Sequence, residues 1–215
     1  MGNMKETIRS VAIDLFFEKG YFATSIAEIA QGCGIQKSSI YYHYASKEYL
    51  LFSILKSTME DLTLHLEENL AGEPDVTKRL KKAVHGHVRF HLQHQKETFL
   101  ASSELRGLSE RHYEVIVEQR DTYERIFQEL LDEGKDAGVF SFADCKILSY
   151  AILTLCTAGA SWFKPNGRLS VDEIASIYEG FILNGLMHAP GQLKRPKRNT
   201  AALLSSKRKK ISIGN

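Results

Sequence analysis

Apolar residues recur at the spacing of an α-helix along almost the whole chain, and no stretch shows the strict alternation of a β-strand. Near the N-terminus this spacing is met by Ile8, Val11, Ala12, Leu15 and Phe16, which fall at i, i+3, i+4, i+7 and i+8. Residues at these intervals lie on one face of a helix. The pattern therefore predicts an all-α protein.

Two short helices joined by a tight turn follow the first helix. Ser25 and Glu28 match a capping box at the start of one of them, and Gly34 supplies a residue that adopts positive φ at little cost. The next short helix is predicted from about Gln36 to Tyr44, and Ser46 is placed to cap a long fourth helix. Small residues at the crossing and a glycine in the bend are typical of a helix-turn-helix.

The second short helix is crowded with aromatic hydrogen-bonding side chains. Helical spacing assigns Ile40 and Tyr44 to its inward face. The outward or edge positions then go to Lys37, Ser38, Ser39, Tyr41, Tyr42 and His43. Donors that reach phosphates and base edges from a helix in the major groove are what DNA recognition requires. The bland alternative, packing of the tyrosines against the fourth helix, is preferred for Tyr44 alone.

Residues from about 5 to 52 resemble the N-terminal domain of the TetR-type transcriptional regulators. The matching positions are Thr24, Ile29, Ala30, Gly34, Ile35, Tyr41, Tyr42, His43, Lys47 and Leu50. The resemblance implies a double-stranded DNA operator as partner, with the outward side chains of the second short helix as the DNA contacts. Thr24 and Lys47 are expected to hold the flanking phosphates.

Three regions are predicted: a helix-turn-helix domain over residues 1–50, a helical ligand-binding and dimerisation domain over 51–190, and a basic disordered tail over 191–215. No acidic residue follows Glu179, whereas eight of the 28 basic residues lie in the tail and leave the rest of the chain net acidic. Such a tail adds sequence-independent attraction to phosphates.

The last two long helices suggest a homodimer. One, around Leu148 to Trp162, is apolar on nearly every face, and a helix of this kind must be buried on more than one side. The other follows a second capping box, Ser170 with Glu173. Pairing with the same helices of a second copy satisfies both. The resemblance implies the same arrangement, and with it a palindromic operator.

Residues 105–142 and 161–186 resemble the branch of TetR-type regulators that responds to acyl-coenzyme A thioesters from fatty-acid, steroid or aromatic-acid degradation. This resemblance implies a small-molecule effector and release of a repressor from DNA. An apolar channel is predicted from Phe90, Phe99, Leu105, Tyr123, Phe127, Leu155 and Trp162. Phosphate contacts are predicted from Arg106, Arg120, Arg125 or Lys164. The simpler alternative is that each of these aromatic residues belongs to the hydrophobic core and each arginine lies on the surface.

A metal-responsive repressor is a competing hypothesis. His87, His91 and His94 fall at i, i+4 and i+7, so helical spacing places them on one face, and imidazoles in this arrangement bind zinc, copper or nickel. Histidines satisfied by neighbouring helices are the ordinary alternative. A third hypothesis is a helical protein-interaction module without DNA binding.

Enzyme motifs are missing from the sequence. No G-x-S-x-G, H-E-x-x-H, P-loop or G-x-G-x-x-G pattern occurs, so no catalytic residue and no cofactor is expected. No export signal is evident, and the apolar run from Ile147 to Phe163 is short for a membrane span. Cys33, Cys145 and Cys156 lie far apart, as expected of reduced thiols. These features predict a soluble, cytoplasmic protein without a membrane partner.

Overall fold

A computed structural model describes residues 4–187, and within that range it is built from nine α-helices and one 3-10 turn, without a β-strand. The helices are α1 (Met4–Lys19), α2 (Ile26–Gly32), α3 (Lys37–His43), α4 (Lys47–Leu70), α5 (Val76–Gln93), α6 (Gln95–Ser103), α7 (Glu110–Asp136), α8 (Cys145–Trp162) and α9 (Val171–Met187). The 3-10 turn spans Leu105–Gly107. The predicted all-α class is confirmed. The predicted basic tail, 191–215, lies outside the described residues.

Local signals set several helix boundaries as predicted. Ser25 Oγ accepts from the backbone N–H of Glu28 at 3.2 Å, and Glu28 Oε2 accepts from the backbone N–H of Ser25 at 2.8 Å. Ser170 and Glu173 form the same reciprocal pair before α9. Gly34 adopts φ of 66° in the turn between α2 and α3. Both capping boxes and the glycine turn are therefore confirmed.

The described chain contains two hydrophobic cores, and α4 contributes to both. Leu50 to Leu55 of α4 pack with α1, α2 and α3 in the first core, whereas Met59, Leu62 and Leu66 pack with α5, α7, α8 and α9 in the second. The predicted boundary between residues 50 and 51 thus falls inside an unbroken helix. Because one helix belongs to both cores, α4 connects the C-terminal core to the N-terminal helices.

Helices α8 and α9 bury only part of their apolar surface within the chain. Ile152 and Cys156 of α8 and Ile182 of α9 lie in the second core. Large apolar residues that are exposed on the two helices include Ile147, Tyr150, Leu155, Trp162, Ile177 and Phe181. We refer to these six exposed side chains as the α8–α9 apolar face. No described helix combines the length and the apolar character that crossing a membrane would require.

Candidate nucleic-acid interface and ligand cavity

Helix α3 presents the side chains that the sequence assigned to its outer face. Tyr42 is 87% exposed and Tyr41 is 47% exposed, while Ile40 is completely buried. Lys37 and Ser38 are also exposed, and Ser39 and His43 are partly buried. The face offers hydroxyl, ammonium and imidazole groups on a short helix, a chemical set suited to phosphates and base edges.

The inner side of α3 is held firmly by the first core. Ile40 packs among the buried residues of α1, α2 and α4. Tyr44, directly after the helix, is buried, and its hydroxyl donates to the backbone oxygen of Lys5 at 3.3 Å. These contacts confirm the inward assignment of both residues and hold the outer face in a defined orientation.

Thr24 and Lys47 are placed differently from the sequence-based expectation. Thr24 is only 2% exposed, and its hydroxyl donates to the backbone oxygens of Gly20 at 2.9 Å and Leu15 at 3.2 Å. Lys47 Nζ donates to the backbone oxygens of Tyr21 at 2.8 Å and Thr24 at 2.7 Å, and burial lowers the pKa of this ammonium group. Both side chains stabilise the turn between α1 and α2. The Thr24 hydroxyl is therefore buried and already bonded to backbone oxygens, which leaves its side chain without an exposed donor for a phosphate.

Replacing Thr24 with valine tests this structural role. The substitution keeps the volume and removes the buried hydroxyl, so we expect a loss of about 1 kcal/mol in the free energy of unfolding. Thermal and urea denaturation measure it. Ser38→Ala, which removes an exposed hydroxyl from α3, is the matched control and is expected to leave stability unchanged. Unchanged stability of Thr24→Val together with weaker DNA binding would restore the phosphate assignment.

A cavity of about 470 Å³ lies between the second half of α4 and helices α5 to α8. Apolar parts of its wall include Met59, Leu62 and Leu153. Imidazole, guanidinium and carboxylate groups come from α5 and α7, and with the Tyr123 phenol they belong to His87, His91, Arg120, Tyr123 and Glu124. Further hydroxyl groups come from α4, α6 and α8, at Thr58, Thr98, Ser102, Tyr150, Thr154 and Thr157. A largely apolar wall with a few polar groups is characteristic of small-molecule sites.

Only Arg120 and Tyr123 of the residues predicted to bind a ligand line this cavity. Phe127 is core, Phe90 lies beside two smaller pockets, Phe99 contacts α1, and Leu105 packs on the first core. Arg106, Arg125, Leu155 and Trp162 are exposed outside the cavity. The structure therefore does not bring the predicted residues together in a single channel. Helical spacing separates buried from exposed positions but does not locate empty space.

The three histidines of α5 do not converge. His87 and His91 are buried in the cavity wall, whereas His94 follows the end of α5, is exposed, and lies 4.5 Å from the ring of Phe90. Burial lowers the pKa of His87 well below its usual value and that of His91 to about 4. Within residues 4–187, no three or more His, Cys, Asp or Glu side chains are arranged to hold a metal ion.

Residues absent from the sequence-based set supply much of the cavity chemistry. Glu124 is 8% exposed, and its Oε1 accepts from Ser149 Oγ at 2.9 Å. Thr157 lies between the two buried histidines, 3.1 Å from His87 Nε2. They act beside Arg120, which was predicted: it donates to the backbone oxygen of Ala101, and burial lowers the pKa of its guanidinium. Thr157 and Ser149 were missed because a lone hydroxyl in an apolar helix carries no distinctive sequence pattern.

Helix α6 separates the cavity from the N-terminal helices and contacts both. Thr98, Ala101 and Ser102 line the cavity. On another side of the helix, Phe99 meets Phe17 of α1 edge to face at 5.2 Å between ring centroids. Lys96 Nζ lies 2.6 Å from Asp14 Oδ1, also on α1. Helix α6 therefore connects the cavity wall to α1, the first helix of the N-terminal core.

Two family models match the chain. Residues 8–54 match the model described as bacterial regulatory proteins, tetR family, and residues 73–186 match a tetracyclin repressor-like C-terminal domain. The HTH-type transcriptional repressor KstR2 of Rhodococcus jostii (strain RHA1) is 25% identical over 178 residues, which cover 82% of this chain and 87% of that protein.

Solved structures share the fold over most of the chain. A bacterial regulatory protein of the tetR family from Rhodococcus RHA1 is 26% identical, with a TM-score of 0.82 over 88% of this chain and 100% of its own. AibR in complex with isovaleryl coenzyme A and operator DNA is 24% identical, with a TM-score of 0.77 over 83% of this chain and 97% of its own. The match extends through both hydrophobic cores.

Proposed function

The chain belongs to the TetR family of bacterial regulatory proteins, and from this membership we propose a homodimeric repressor that an acyl-coenzyme A thioester releases from a palindromic operator. The family is one of DNA-binding transcriptional regulators, so the helix-turn-helix resemblance found in the sequence is confirmed. The observation that carries the release mechanism is the position of α6, between the cavity and α1.

The outer face of α3 is the proposed DNA contact. Lys37, Ser38 and Ser39 lie at its start, and Tyr41, Tyr42 and His43 follow in its last turn. Two such helices bind successive major grooves when they stand about one turn of DNA apart, about 34 to 36 Å. Occupancy of the operator therefore depends on the separation of the two copies.

The α8–α9 apolar face is the proposed dimer interface. Phe181 is 70% exposed in the single chain, and Ile147, Trp162 and Ile177 are more than half exposed. Large apolar side chains concentrated on two adjacent helices are typical of surfaces that associate. Packing the same two helices of a second copy against this face produces a four-helix interface with two-fold symmetry.

Effector binding is proposed to act through α6. A ligand that fits the cavity better when Thr98, Ala101 and Ser102 have moved stabilises a second arrangement of α6. Because Phe99 and Lys96 contact α1, that arrangement alters the separation of the two α3 helices. Shifting a mostly DNA-competent population to a mostly incompetent one requires about 5 kcal/mol of differential affinity.

The thioester class is supported by three observations. The cavity is mainly apolar and of a size to accept an acyl group. Arg120 lies in its wall and carries a guanidinium group of the kind that binds phosphates. One similar protein points the same way, since the AibR structure holds isovaleryl coenzyme A with operator DNA.

A DNA shift assay with a ligand panel tests the proposal. We expect the purified protein to retard DNA from immediately upstream of its own gene. The panel contains acyl-coenzyme A thioesters, the matching free acids and divalent metals, and we expect only the thioesters to release the protein from the DNA. The double variant His87→Asn/His91→Asn separates thioester sensing from metal sensing. If metals release the DNA from the unmodified protein but not from this variant, metal sensing replaces the thioester hypothesis. Failure of every thioester would also contradict the proposed effector class.

A further inference from the structure

Three buried side chains, Tyr123, His87 and His91, and the partly buried Thr157 form one continuous series of hydrogen bonds in the cavity wall. Tyr123 Oη lies 2.8 Å from His87 Nδ1. His87 Nε2 lies 3.1 Å from Thr157 Oγ1, which in turn lies 3.4 Å from His91 Nε2. The chain ends where His91 Nδ1 meets the backbone oxygen of His87 at 2.9 Å. We call this set the Tyr123–His91 relay.

The end of the relay sets the direction of every bond in it. A backbone carbonyl oxygen only accepts, so His91 carries its proton on Nδ1. Both imidazoles are neutral at ordinary pH, because burial lowers the pKa of His91 to about 4 and that of His87 well below its usual value. The unprotonated Nε2 of His91 therefore accepts the single proton of the Thr157 hydroxyl.

The number of protons on each group also sets the direction of the remaining two hydrogen bonds. Since the Thr157 proton is donated to His91, Thr157 Oγ1 accepts from His87 Nε2–H. The neutral His87 ring has no second proton, so its Nδ1 accepts from the Tyr123 hydroxyl. Reversal of these hydrogen bonds would bring the unprotonated Nδ1 of the buried His91 against the His87 carbonyl oxygen, so that two acceptors would face each other with no proton between them.

We propose that the Tyr123–His91 relay makes Tyr123 an acceptor toward the cavity, so that the effector is an acyl thioester whose acyl part carries a hydroxyl group. The Tyr123 proton is committed to His87, and only the lone pairs of its oxygen remain for a ligand. A hydroxyl group donates to that oxygen, whereas a ketone at the same carbon finds no donor there. Glu124, also in the wall, adds acceptor oxygens. This inference rests on the proposed thioester class and makes it more specific.

Isothermal titration calorimetry with matched thioesters tests the selectivity. The probes are dodecanoyl-coenzyme A and two matched pairs of its derivatives, each pair made of a hydroxy and an oxo compound. One pair is substituted at carbon 3 of the acyl group, and the other in the terminal region of the acyl group. We expect one hydroxy compound to bind about tenfold or more tightly than its oxo counterpart, since an unmatched buried polar pair costs roughly 1 to 3 kcal/mol. Equal or tighter binding of the oxo compound at both positions would overturn the inference. Absence of binding by every thioester would instead overturn the proposed function.

Two variants separate the direction of the relay from simple contact with Tyr123. Tyr123→Phe removes the acceptor, so the hydroxy compound is expected to bind no better than dodecanoyl-coenzyme A. Thr157→Val interrupts the relay and frees His87 to protonate Nδ1 and donate to Tyr123, so the hydroxy-over-oxo ratio is expected to fall to near one. An unchanged ratio in Thr157→Val would show that the relay does not set the preference.

Nitrogen NMR of histidine-labelled protein tests the relay without any ligand. We expect neutral His91 with its proton on Nδ1 and neutral His87 with its proton on Nε2, assigned with His87→Gln and His91→Gln. The two tautomers differ in nitrogen chemical shift, so the spectrum shows which nitrogen of each ring carries the proton. A His87 ring protonated on Nδ1 in the unliganded protein would refute the direction of the relay. This readout also stays decisive where a cavity variant is unstable.

Discussion

Replacing Tyr42 with alanine is expected to weaken operator binding about 100-fold while leaving the fold intact. The side chain is 87% exposed on α3, so its loss removes little packing. A direct contact with DNA is worth about 1 to 3 kcal/mol, and a symmetric dimer loses it in both half-sites. Fluorescence anisotropy with operator DNA measures the affinity, and thermal denaturation with sedimentation measures stability and dimerisation.

Two other tyrosines serve as controls for Tyr42. Tyr113→Ala removes a half-exposed ring from α7, far along the chain from α3, and is expected to leave both DNA binding and stability unchanged. Tyr44→Ala removes a buried ring and is expected to destabilise the protein by several kcal/mol. Loss of the dimer or of thermal stability in Tyr42→Ala would instead assign Tyr42 a structural role.

The salt dependence of binding separates a DNA regulator from a protein-interaction module. Contacts with phosphates release counterions, so affinity for DNA should fall steeply as salt rises. Lys37→Ala should reduce that slope, because it removes a charge from the same face of α3. An association that is insensitive to salt would favour an apolar protein partner for the N-terminal helices.

Replacing Phe181 with aspartate is expected to convert the protein to a monomer and to weaken operator binding strongly. Phe181 is 70% exposed on α9, in the middle of the α8–α9 apolar face. Two-fold symmetry would place both copies of the new carboxylate in the interface, where unpaired buried charges are strongly unfavourable. Without a dimer each operator half-site is bound separately, and the affinity should fall about 100-fold or more. Analytical ultracentrifugation and anisotropy measure the two effects.

Leu64→Asp is the matched control for Phe181→Asp. Leu64 is an exposed leucine of α4, outside the α8–α9 apolar face, and it also receives a carboxylate. We expect this variant to remain dimeric and to bind the operator normally. A dimeric Phe181→Asp protein that still binds DNA would rule out the proposed interface.

The sequence alone determined the helix-turn-helix and the chemical character of its outer face. Ser25 and Glu28 are three residues apart, Gly34 acts through its own φ, and Ile40 and Tyr44 follow from helical spacing. Each of these signals operates within about one turn of chain, so it is visible without any tertiary contact. The exposure of Tyr41 and Tyr42 and the burial of Tyr44 confirm that part of the prediction.

Only the tertiary structure decided which side chains line the cavity and which hold the turn before α2. Arg120 and Tyr123 reach the cavity, while Phe127, on the same helix, fills the core. Amphipathic spacing marks all three as candidates, because it reports which face is turned inward and not how neighbouring helices are spaced. Thr24 turns to carbonyls of the preceding turn, and Thr157 meets two histidines that lie far away in sequence. Such positions depend on how helices cross, and the directions of their hydrogen bonds follow only once those crossings are known.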